Sequence, residues 1–417
     1  MKKSKDCCAK SSAEIWRNFM LKGKNVVLGV TGSIAAYKIA SLASALKKLH
    51  CNVHVIMTEN ATNFINPITF ETLTGNKCIV DTFDRNFEFH VEHVSLAKMT
   101  DLVLVAPATA NFLAKAAYGL ADDMLTTTFL ACDCKKIIAP AMNTHMYNNP
   151  IVQENIERLK SMGYEIINPV SGYLACGDTG DGKMPEPEQL LSCILHEIAF
   201  EKDMKGLNVT VTAGATREMI DPVRFISNKS TGKMGYALAE NASLRGAEVT
   251  LIAGVTNLKD LPYVHMIHVE SAKEMYDAVM KSAVDSDIIV KAAAVADYRP
   301  KTIALNKIKK KDSDMSIELE RTDDIIGSLG QKKQKNVFLC GFSMETENML
   351  ENAKKKLESK NLDMIVANNV KTQGAGFGTD TNVVTIITKD SCEELPIMSK
   401  SQVSGQIFDK ILQIRQK

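Results

Sequence analysis

The sequence predicts an α/β protein with two doubly wound domains, each built around a mainly parallel sheet. Short apolar runs alternate along the chain with segments of helical period, which is the pattern of buried parallel strands covered by helices. A polar loop containing glycine follows the first predicted strand of each half. The length, 417 residues, exceeds what one ordinary hydrophobic core accommodates. Together these observations favour two domains of similar architecture.

Changes in composition along the chain set the expected domain boundaries. We expect an N-terminal extension at 1–23, a first domain at 24–190, a linker at 191–205 and a second domain at 206–417. The extension is polar and mixed, which indicates a frayed or helical segment to which we assign no role. The linker includes a short charged patch before the second domain begins.

Each domain has its own series of predicted strands. In the first domain, apolar runs predict strands at 25–30, 52–57, 101–106, 135–139 and 165–167. In the second domain, similar runs predict strands at 207–212, 248–253, 288–292, 337–342 and 362–367. Amphipathic segments predict a helix that follows the first strand as far as Leu49, a last helix of the first domain at 189–200, and a helix at 236–245. The polar, lysine-rich stretch 297–324 predicts a flap or a small hairpin.

The composition is that of a globular protein without a bias towards nucleic acid or membrane partners. Hydrophobic residues make up 45%, charged residues 24%, and the net charge is +1. No apolar run is long enough to span a bilayer, and the N-terminal residues lack the apolar core of a signal peptide. We therefore expect a cytoplasmic location. The ten cysteines are scattered as reduced core residues would be, and no metal-ligand set is assigned.

The loop from Ala213 to Gly235 is the most informative stretch of the chain. A strand, a glycine-containing polar loop and a helix in this order present backbone N–H groups to a phosphate. The loop carries more hydrogen-bond donors than a connection needs, namely Arg217, Arg224, Asn228, Ser230, Thr231 and Lys233. The alternative is a decorated turn without a ligand. The pattern favours a nucleotide or phosphate site.

The first domain has a different glycine loop, GVTGSIAAYK, from Gly29 to Lys38. It is not GxGxxG, and the second strand does not end in an acidic residue that would bind a ribose. These features favour a single phosphate, held by donors of Gly32 and Ser33, over a dinucleotide. The segment Ala106 to Asn111 ends a later strand, and it either contributes to the same site or only caps the next helix.

Four further features carry a resemblance to a known family. After the Ala213–Gly235 loop come AAAVADY at 292–298, KIKK at 307–310, GFSME at 341–345 and ANN at 367–369, in that order. This series resembles the bifunctional coenzyme A biosynthesis family, which joins a phosphopantothenoylcysteine decarboxylase to a phosphopantothenate-cysteine ligase. The resemblance implies a flavoprotein-like first half and a Rossmann-like second half. It covers nearly everything after residue 23.

For the first half, the resemblance implies decarboxylation of 4'-phosphopantothenoylcysteine with FMN. Oxidation of the substrate thiol by the flavin would supply the electron sink that loss of CO2 requires. The residues implied to bind FMN are Gly32, Ser33, Thr58, Ala106, Thr109 and Asn111.

Three residues of the first half match catalytic positions of the family. His93 is implied as the catalytic base, although a lone histidine is more often structural. Asn143 resembles the ligand of the substrate carboxylate. Cys176 lies in the glycine-rich segment 171–184 and matches the proton donor, whereas taken alone it is one more buried thiol.

For the second half, the resemblance implies ligation of cysteine to 4'-phosphopantothenate through an acyl-cytidylate formed from CTP, with Mg²⁺ neutralising the triphosphate. Asn228 is implied to bind the intermediate and Lys307 to act on the triphosphate, although KIKKK taken alone is better explained as a solvated face. The other residues implied at the nucleotide are Arg224, Ala294, Asp297 and Phe342.

The same resemblance implies a homo-oligomer with trimeric decarboxylase contacts and dimeric ligase contacts, combined in a closed dodecamer. Two other classes of protein compete with this interpretation. One is a flavin or nicotinamide oxidoreductase with a nucleotide-binding regulatory domain. The other is a nonenzymatic module that binds flavin or senses a nucleotide. The missing dinucleotide fingerprint argues against the first, and mere binding requires neither His93 with Cys176 nor Lys307 with Asn228.

Overall fold

A computed structural model of the chain describes residues 20–82, 92–173, 179–310, 315–345, 349–369 and 378–416. The described residues form two compact units, and the chain passes from the first to the second between Phe200 and Glu201. This point lies within the expected linker. None of the helices in these ranges is both long and apolar enough to cross a membrane.

The first unit is a doubly wound α/β unit. Its strands are β1 (Asn25–Val30), β2 (Asn52–Met57), β3 (Cys78–Ile79), β4 (Leu102–Ala108), β5 (Lys135–Pro140), β6 (Glu165–Ile166), β7 (Val170–Tyr173) and β8 (Thr179–Lys183). Its helices are α1 (Tyr37–Lys48), α2 (Pro67–Thr74), α3 (Glu92–Met99), α4 (Ala110–Tyr118), α5 (Met124–Ala131), α6 (Thr144–Tyr147), α7 (Pro150–Ser161) and α8 (Pro187–Ile198). Short 3₁₀ turns occupy Ile34–Ala36 and Glu59–Asn63.

The sheet of the first unit has the strand order β3-β2-β1-β4-β5-β6, and the pairs along it are parallel. β4 is buried along its whole length, as expected for a central strand with helices on both faces. The strands β7 and β8 form a separate antiparallel hairpin. Because the chain order reverses between β1 and β4, the crevice at this sheet lies at the carboxyl ends of these two strands.

Two apolar layers hold the first unit together, one on each face of the sheet. One layer packs α1 and α8 over the sheet and includes Leu21, which is fully buried just before β1. The other layer packs α4, α5 and α7 and is centred on Phe129. The ring of Phe129 meets those of Phe112 and Tyr164 edge to face, at 5.3 and 5.4 Å between centroids.

The second unit repeats the architecture. Its strands are β9 (Asn208–Ala213), β10 (Arg217–Met219), β11 (Phe225–Ser227), β12 (Glu248–Ala253), β13 (His265–His268), β14 (Ile288–Lys291), β15 (Tyr298–Pro300), β16 (Leu319–Arg321), β17 (Phe338–Glu345), β18 (Met364–Asn369), β19 (Thr381–Asn382), β20 (Val384–Thr388), β21 (Cys392–Glu394) and β22 (Met398–Ser399). Its helices are α9 (Lys233–Leu244), α10 (Ala272–Ser282), α11 (Ile325–Gln331), α12 (Met349–Ser359) and α13 (Lys400–Arg415).

The main sheet of the second unit has the order β13-β12-β9-β14-β17-β18-β20-β21. Its first six strands follow the same order as the sheet of the first unit and are parallel, whereas β20 and β21 are antiparallel to their neighbours. Short antiparallel pairs join β10 to β11, β15 to β16 and β19 to β22. The order again reverses between the first and fourth strands, here β9 and β14.

The structure confirms the predicted fold class, two doubly wound units with mainly parallel sheets. The strands expected at 25–30, 52–57 and 248–253 have these bounds in the structure, and the other predicted strands are shifted by one to three residues. A hairpin, β15 with β16, lies in the lysine-rich stretch. Residues 1–19 lie outside the described residues, so the frayed or helical extension stays a prediction.

Phe129→Ala tests the core of the first unit. The substitution leaves a cavity where three aromatic rings meet, so we expect the free energy of unfolding of this unit to fall by about 3–5 kcal/mol. Thermal and urea unfolding followed by circular dichroism measure the change. Leu130→Ala is the matched control, because Leu130 follows on the same helix but is 40% exposed. Equal destabilisation by both variants would contradict this account of the core.

Candidate functional site

The loops after β1 and β4 are hydrogen-bonded to each other at the point where the strand order reverses. The Thr31 hydroxyl donates to the carbonyl of Pro107 at 2.7 Å and accepts from the N–H of Thr109 at 3.0 Å. The Thr31 N–H also donates to the Pro107 carbonyl. Thr31 therefore fixes the two walls of the crevice in which ligands of doubly wound folds bind.

The predicted phosphate loop lies at this crevice. A Cβ at Gly32 would stand 2.8 Å from the Cβ of Asn60, so glycine allows the loop after β1 to approach the loop after β2. The Ser33 hydroxyl accepts from the N–H of Ala35, and the Thr58 N–H donates to the Val30 carbonyl. A short hydroxyl side chain and two closely approaching backbone loops at the carboxyl edge of the sheet suit a single phosphate.

The segment after β4 both caps a helix and lines the crevice. Thr109 is the N-cap of α4, and its hydroxyl accepts from the N–H of Phe112 at 3.4 Å. Ala106 is buried within β4, and Asn111 is exposed in the first turn of α4. The two interpretations of this segment are therefore compatible, since the cap also carries the backbone that bonds Thr31.

Asn143 follows β5 at the same edge of the sheet. It caps the short helix α6, with its side-chain oxygen accepting from the N–H of His145 at 2.8 Å. The neighbouring Met142 N–H donates to the carbonyl of Gly182 in β8 at 3.1 Å. Gly182 has φ +129°, and a Cβ there would overlap the Met142 carbonyl oxygen. The hairpin of β7 and β8 is thus seated directly on the segment that carries Asn143.

The two remaining predicted catalytic residues of the first unit are His93 and Cys176, of which the structure describes His93. His93 is half-buried near the start of α3, the helix that leads into β4. A helix that precedes a parallel strand runs antiparallel to it, so the start of α3 is directed to the carboxyl edge of the sheet. Cys176 lies outside the described residues, and its role stays a prediction.

In the second unit the loop after β9 holds the loop after β14 by three hydrogen bonds. The hydroxyls of Thr212 and Thr216 accept from the N–H groups of Ala293 and Ala296, at 3.1 and 3.0 Å. The N–H of Ala294 donates to the Gly214 carbonyl at 2.9 Å. This contact joins the two blocks that the sequence marked as separate motifs.

Asn228 reaches the same place from the β10–β11 hairpin. Its side-chain amide donates to the carbonyl of Ala294 at 3.1 Å. The hydroxyl of the preceding Ser227 donates to the Thr216 carbonyl at 2.8 Å, which fixes the end of the hairpin. The structure therefore brings Asn228 and Ala294 into direct contact, as a shared ligand site requires.

A cavity of about 500 Å³ opens at this crevice. Four of the predicted nucleotide-site residues line it, Asn228, Ala294, Asp297 and Phe342. Its described lining also includes the glycine loop and four lysines, Lys229, Lys233, Lys291 and Lys400, but only one carboxylate, that of Asp297. A cavity with this excess of positive charge suits a ligand that carries several negative charges.

Three of these lysines, Lys229, Lys291 and Lys400, were not singled out from the sequence. Burial lowers the pKa of Lys291 from its ordinary value, an effect that Asp297 and Asp324 oppose. Burial, together with the nearby charge of Lys233, lowers the pKa of Lys400 to about 8. Lys291 ends an apolar strand next to AAAVADY, which was an available signal. Lys400 has no local signal in the sequence.

Arg224 and Lys307 are not among the residues that line the cavity, but they belong to one anchored segment. The Arg224 guanidinium donates to the carbonyl of Ile308 at 3.3 Å and lies 3.5 Å from Asp221. The fully buried Asp221 accepts from the N–H of Ile308 at 3.1 Å. Lys307 is exposed beside this anchor.

The pKa of the Asp221 carboxyl is lower than usual. Burial alone would raise this pKa, but hydrogen bonds from the N–H groups of Val223, Ile308 and Arg224 to the carboxylate outweigh burial. Because the folded-state pKa is lowered, this carboxylate contributes stability above the pKa of the unfolded chain. The contribution is lost as the pH falls through the folded-state value.

Among the described residues there is no group of three or more His, Cys, Asp or Glu side chains placed to hold a metal ion.

Comparison with known proteins matches each unit to a family model. Residues 17–199 match the model described as Flavoprotein, and residues 204–414 match the DNA/pantothenate metabolism flavoprotein C-terminal domain. The Coenzyme A biosynthesis bifunctional protein CoaBC of Bacillus subtilis is 50% identical over 94% of this chain and 97% of the relative. The chain belongs to the bifunctional coenzyme A biosynthesis family.

Other members of the bifunctional coenzyme A biosynthesis family match along the same length. The protein from Haemophilus influenzae is 43% identical over 95% of this chain and 99% of its own, and that from Escherichia coli is 40% identical over 94% and 97%. A crystal structure of the C-terminal domain of a CoaBC protein is 42% identical, covers 51% of this chain and 98% of that domain, and has a TM-score of 0.44.

Membership confirms the resemblance that the motifs indicated. The chain is a bifunctional enzyme of coenzyme A biosynthesis, and its first half is of the flavoprotein type. The alternative, an oxidoreductase with a nucleotide-binding regulatory domain, is not favoured.

Asp221→Asn tests the anchor beside Lys307. The substitution removes the charge that accepts the Ile308 N–H and pairs with Arg224, so we expect the segment 307–310 to open more often. The rate of trypsin cleavage at these lysines should rise roughly 5- to 100-fold, as expected when charge-assisted hydrogen bonds are lost. Mass spectrometry of the fragments measures it. Asp323→Asn, an exposed carboxylate of the same unit, should leave the rate unchanged, and equal rates in both variants would refute the anchor.

Proposed function

We propose that the chain catalyses two consecutive steps. The second unit would join cysteine to 4'-phosphopantothenate through an acyl-cytidylate formed from CTP. The first unit would decarboxylate the resulting 4'-phosphopantothenoylcysteine to 4'-phosphopantetheine with FMN. The observation that carries this proposal is that several of the predicted residues of each unit lie at its crevice, and that the described residues at the two crevices differ in charge. The first presents hydroxyls and backbone N–H groups, and the second presents four lysines.

We propose 24–190 as the decarboxylase, 191–205 as the linker and 206–417 as the ligase. The division of the two compact units between Phe200 and Glu201, and the family models at 17–199 and 204–414, support a boundary inside the proposed linker. The N-terminal residues 1–23 receive no role.

The cavity of the second unit supports the ligase assignment because four lysines and the side-chain amide of Asn228 line it. The four lysines offset the charge of a triphosphate, and Asp297, Phe342 and Ala294 provide polar and apolar walls for the nucleoside. Asn228, held by the Ala294 carbonyl, can place its amide at the acyl-cytidylate. We assign Lys307 to the triphosphate during activation, with Arg224 and Asp221 holding the segment that carries it.

Mg²⁺ fits this site only with the help of the nucleotide. The described lining provides one carboxylate, Asp297, whereas Mg²⁺ prefers several oxygen ligands. Oxygens of the triphosphate would therefore supply most of its ligands. When bound, the ion would neutralise charge on the triphosphate.

Closely approaching backbone and polar side chains at the crevice of the first unit support the assignment of FMN. Gly32 leaves room where a Cβ would meet Asn60, and Ser33, Thr58, Thr109 and Asn111 provide hydroxyl and amide groups along the same edge. Ala106 would pack its small side chain nearby. FMN, when bound, would supply reversible oxidation of the substrate thiol, so the step needs no nicotinamide cofactor.

The chain's own residues would handle the carboxylate and the protons. Asn143 is placed to orient the departing carboxylate, since its segment is fixed by β5 and by the hairpin of β7 and β8. We assign His93 as the base that handles a proton during thiol oxidation, and Cys176 as the proton donor to the decarboxylated product.

We further propose a cytoplasmic homo-oligomer in which the two units use different contacts, trimeric for the decarboxylase and dimeric for the ligase, combined in a dodecamer. Exposed apolar side chains on the first unit, Ile34, Tyr37, Phe64 and Ile68, support a subunit contact there. No nucleic acid or membrane partner is proposed.

Thr31→Val tests flavin binding. Valine keeps the shape of threonine but removes both hydrogen bonds that align the two crevice loops, so we expect FMN affinity to fall roughly 5- to 100-fold. Quenching of flavin fluorescence on titration with apoprotein measures the dissociation constant. Thr31→Ser, which keeps the hydroxyl, should bind nearly as tightly as the wild type. A folded wild-type protein that takes up no FMN would refute the decarboxylase assignment.

Two variants separate the proposed activities. Cys176→Ser should keep ligation but stop after thiol oxidation and decarboxylation, because a hydroxyl is a much weaker acid than a thiol. Lys307→Gln should lose CTP-dependent ligation by orders of magnitude, as when one electrostatic contact of about 3–4 kcal/mol is removed from a transition state. Supplied 4'-phosphopantothenoylcysteine should still be decarboxylated by the Lys307 variant.

The assay follows pyrophosphate and CO2 release from 4'-phosphopantothenate, cysteine, CTP and Mg²⁺, with product masses identified in parallel. Lys301→Gln serves as a control, since Lys301 is an exposed lysine earlier in the same lysine-rich stretch. Loss of both activities in a folded Lys307→Gln protein would contradict separate sites.

A further inference from the structure

Another cavity of the second unit has a volume of about 320 Å³ and a mainly apolar lining. Its polar lining residues are Lys332, Lys333 and Gln334. The volume lies at the lower end of the range of about 300–1,000 Å³ that small-molecule pockets occupy. Because the cavity shares no lining residue with the nucleotide cavity that contains Asn228, it belongs to a different site.

The two cavities lie at opposite edges of one sheet. Ile289 and Leu339 line the smaller cavity, and they are paired as the second residues of the parallel strands β14 and β17. Lys291 and Phe342, farther along the same two strands, line the nucleotide cavity. The smaller cavity is therefore at the amino edge of the sheet, whereas the nucleotide cavity is at the carboxyl edge.

The smaller cavity leads from the apolar core to the surface. Ile289, Leu329 and Leu339 are buried in the apolar layer that α10 and α11 form with the sheet. Val284, which follows α10 and also lines the cavity, is 64% exposed. Apolar surface at the mouth is thus in contact with water, so burying it favours a ligand with an apolar body.

Polar contacts hold the loop between α11 and β17 in place around the cavity. The Lys333 ammonium pairs with Asp363 at 2.6 Å, and the other oxygen of that carboxylate accepts from the N–H of Leu339 at 2.8 Å. The side-chain amide of Asn361 donates to the carbonyl of Gly330, near the end of α11, at 3.1 Å. These contacts order the walls of the cavity, so that binding requires little further ordering of the chain.

Lys332 provides an unbalanced positive charge beside the apolar lining. Asp363 balances the charge of Lys333, whereas no described carboxylate forms an ion pair with the exposed Lys332. The described lining contains no Asp or Glu. As the C-cap of α11, Lys332 also offsets the carbonyl groups at the helix end, but that role does not require a cavity below it. An apolar body with one negative group at its end complements the whole arrangement.

We propose that this cavity binds a small amphipathic anion, namely a medium-chain carboxylate. Its alkyl chain packs on Ile289, Leu329 and Leu339, and its carboxylate accepts a hydrogen bond from the Lys332 ammonium. Burial of the chain provides most of the affinity, and the charge determines the orientation of the ligand. The proposal goes beyond the two proposed activities and does not rest on either of them.

The test uses octanoate as the probe, and octanol as a neutral probe of the same chain length, on the full-length protein. The thiol introduced by Val284→Cys reports occupancy of this cavity. At about ten times its dissociation constant, octanoate should slow alkylation of that thiol by iodoacetamide roughly tenfold. Mass spectrometry of the peptide that contains position 284 measures the rate. Alkylation of Cys392, an exposed thiol of the same unit that does not line the cavity, should not change.

Lys332→Met, made together with Val284→Cys, separates the charge from the apolar contact. The concentration dependence of the shielding gives dissociation constants for this cavity alone. We expect octanoate to bind roughly 3- to 10-fold more weakly, as for one exposed charge-assisted hydrogen bond, while octanol affinity changes by less than about twofold. Lys335→Met is the matched control, because Lys335 is exposed on the same loop without lining the cavity, and it should bind both probes as before.

Ala283→Phe, in the same background, places a ring in the cavity and should weaken both probes by more than about tenfold. Circular dichroism checks that each variant is folded, and Lys332→Met decides the test if the phenylalanine is not tolerated.

Unchanged alkylation at position 284 in saturating octanoate would overturn the proposal. Unchanged octanoate affinity in Lys332→Met would also overturn it, because the carboxylate would then have no partner there. Equal weakening of octanol and octanoate would overturn it as well, since Lys332 would then only support the helix end. These outcomes leave the ligase and decarboxylase assignments untouched, because the measurements involve neither reaction.

Discussion

The structure depends on one constraint that recurs in both units, which is the direct hydrogen bonding between the loop after the first strand and the loop after the fourth. In the first unit the Thr31 hydroxyl bonds Pro107 and Thr109. In the second unit Thr212, Gly214 and Thr216 bond Ala293, Ala294 and Ala296. These two strands are neighbours in the sheet, but the connections that follow them run towards opposite edges of the sheet. A crevice therefore opens between the two connections. A threonine hydroxyl joins the two connections by hydrogen bonds without adding bulk.

The same frame supports two kinds of chemistry because different side chains surround the two crevices. At the first, hydroxyl groups and closely approaching backbone from the loops after β1, β2 and β4 come together. The second adds four lysines from three separate parts of the chain around Asn228 and Asp297. Family membership fits this division, since each unit matches its own family model. The order of strands thus determines where a ligand binds, and the loops determine what it is.

Much of the fold could be predicted from the sequence, because the pattern of the parallel strands is local. Other features of the fold and of the site leave no such local pattern. Buried parallel strands are mostly apolar, so β1, β2 and β12 could be located to the residue. The hydrophobic period of a strand does not encode whether the strand runs parallel or antiparallel to its neighbour. The antiparallel edge strands β20 and β21 were therefore not predicted from the sequence. Asn228 and Ala294 were both implied by the resemblance, and in the structure the Asn228 amide donates to the Ala294 carbonyl.

Lys400 could not be found in this way. Its place at the cavity depends on the pairing of two-residue strands, β19 with β22, which leaves no pattern in the sequence. Lys307 was implied by the resemblance, and the structure shows that the neighbouring Ile308 is held by Asp221, a residue that the motif does not mark.

Gly182 has a consequence for how the hairpin of β7 and β8 is aligned with the rest of the first unit. Its bare Cα faces the Met142 carbonyl, with which a Cβ would overlap, while its own carbonyl accepts from the Met142 N–H. If β8 slipped by one residue in either direction, the Cβ of Asp181 or Lys183 would face that carbonyl. The glycine therefore fixes the register of β8 against the segment that contains Met142. This register also fixes which residues of β8 lie beside the segment that carries Asn143.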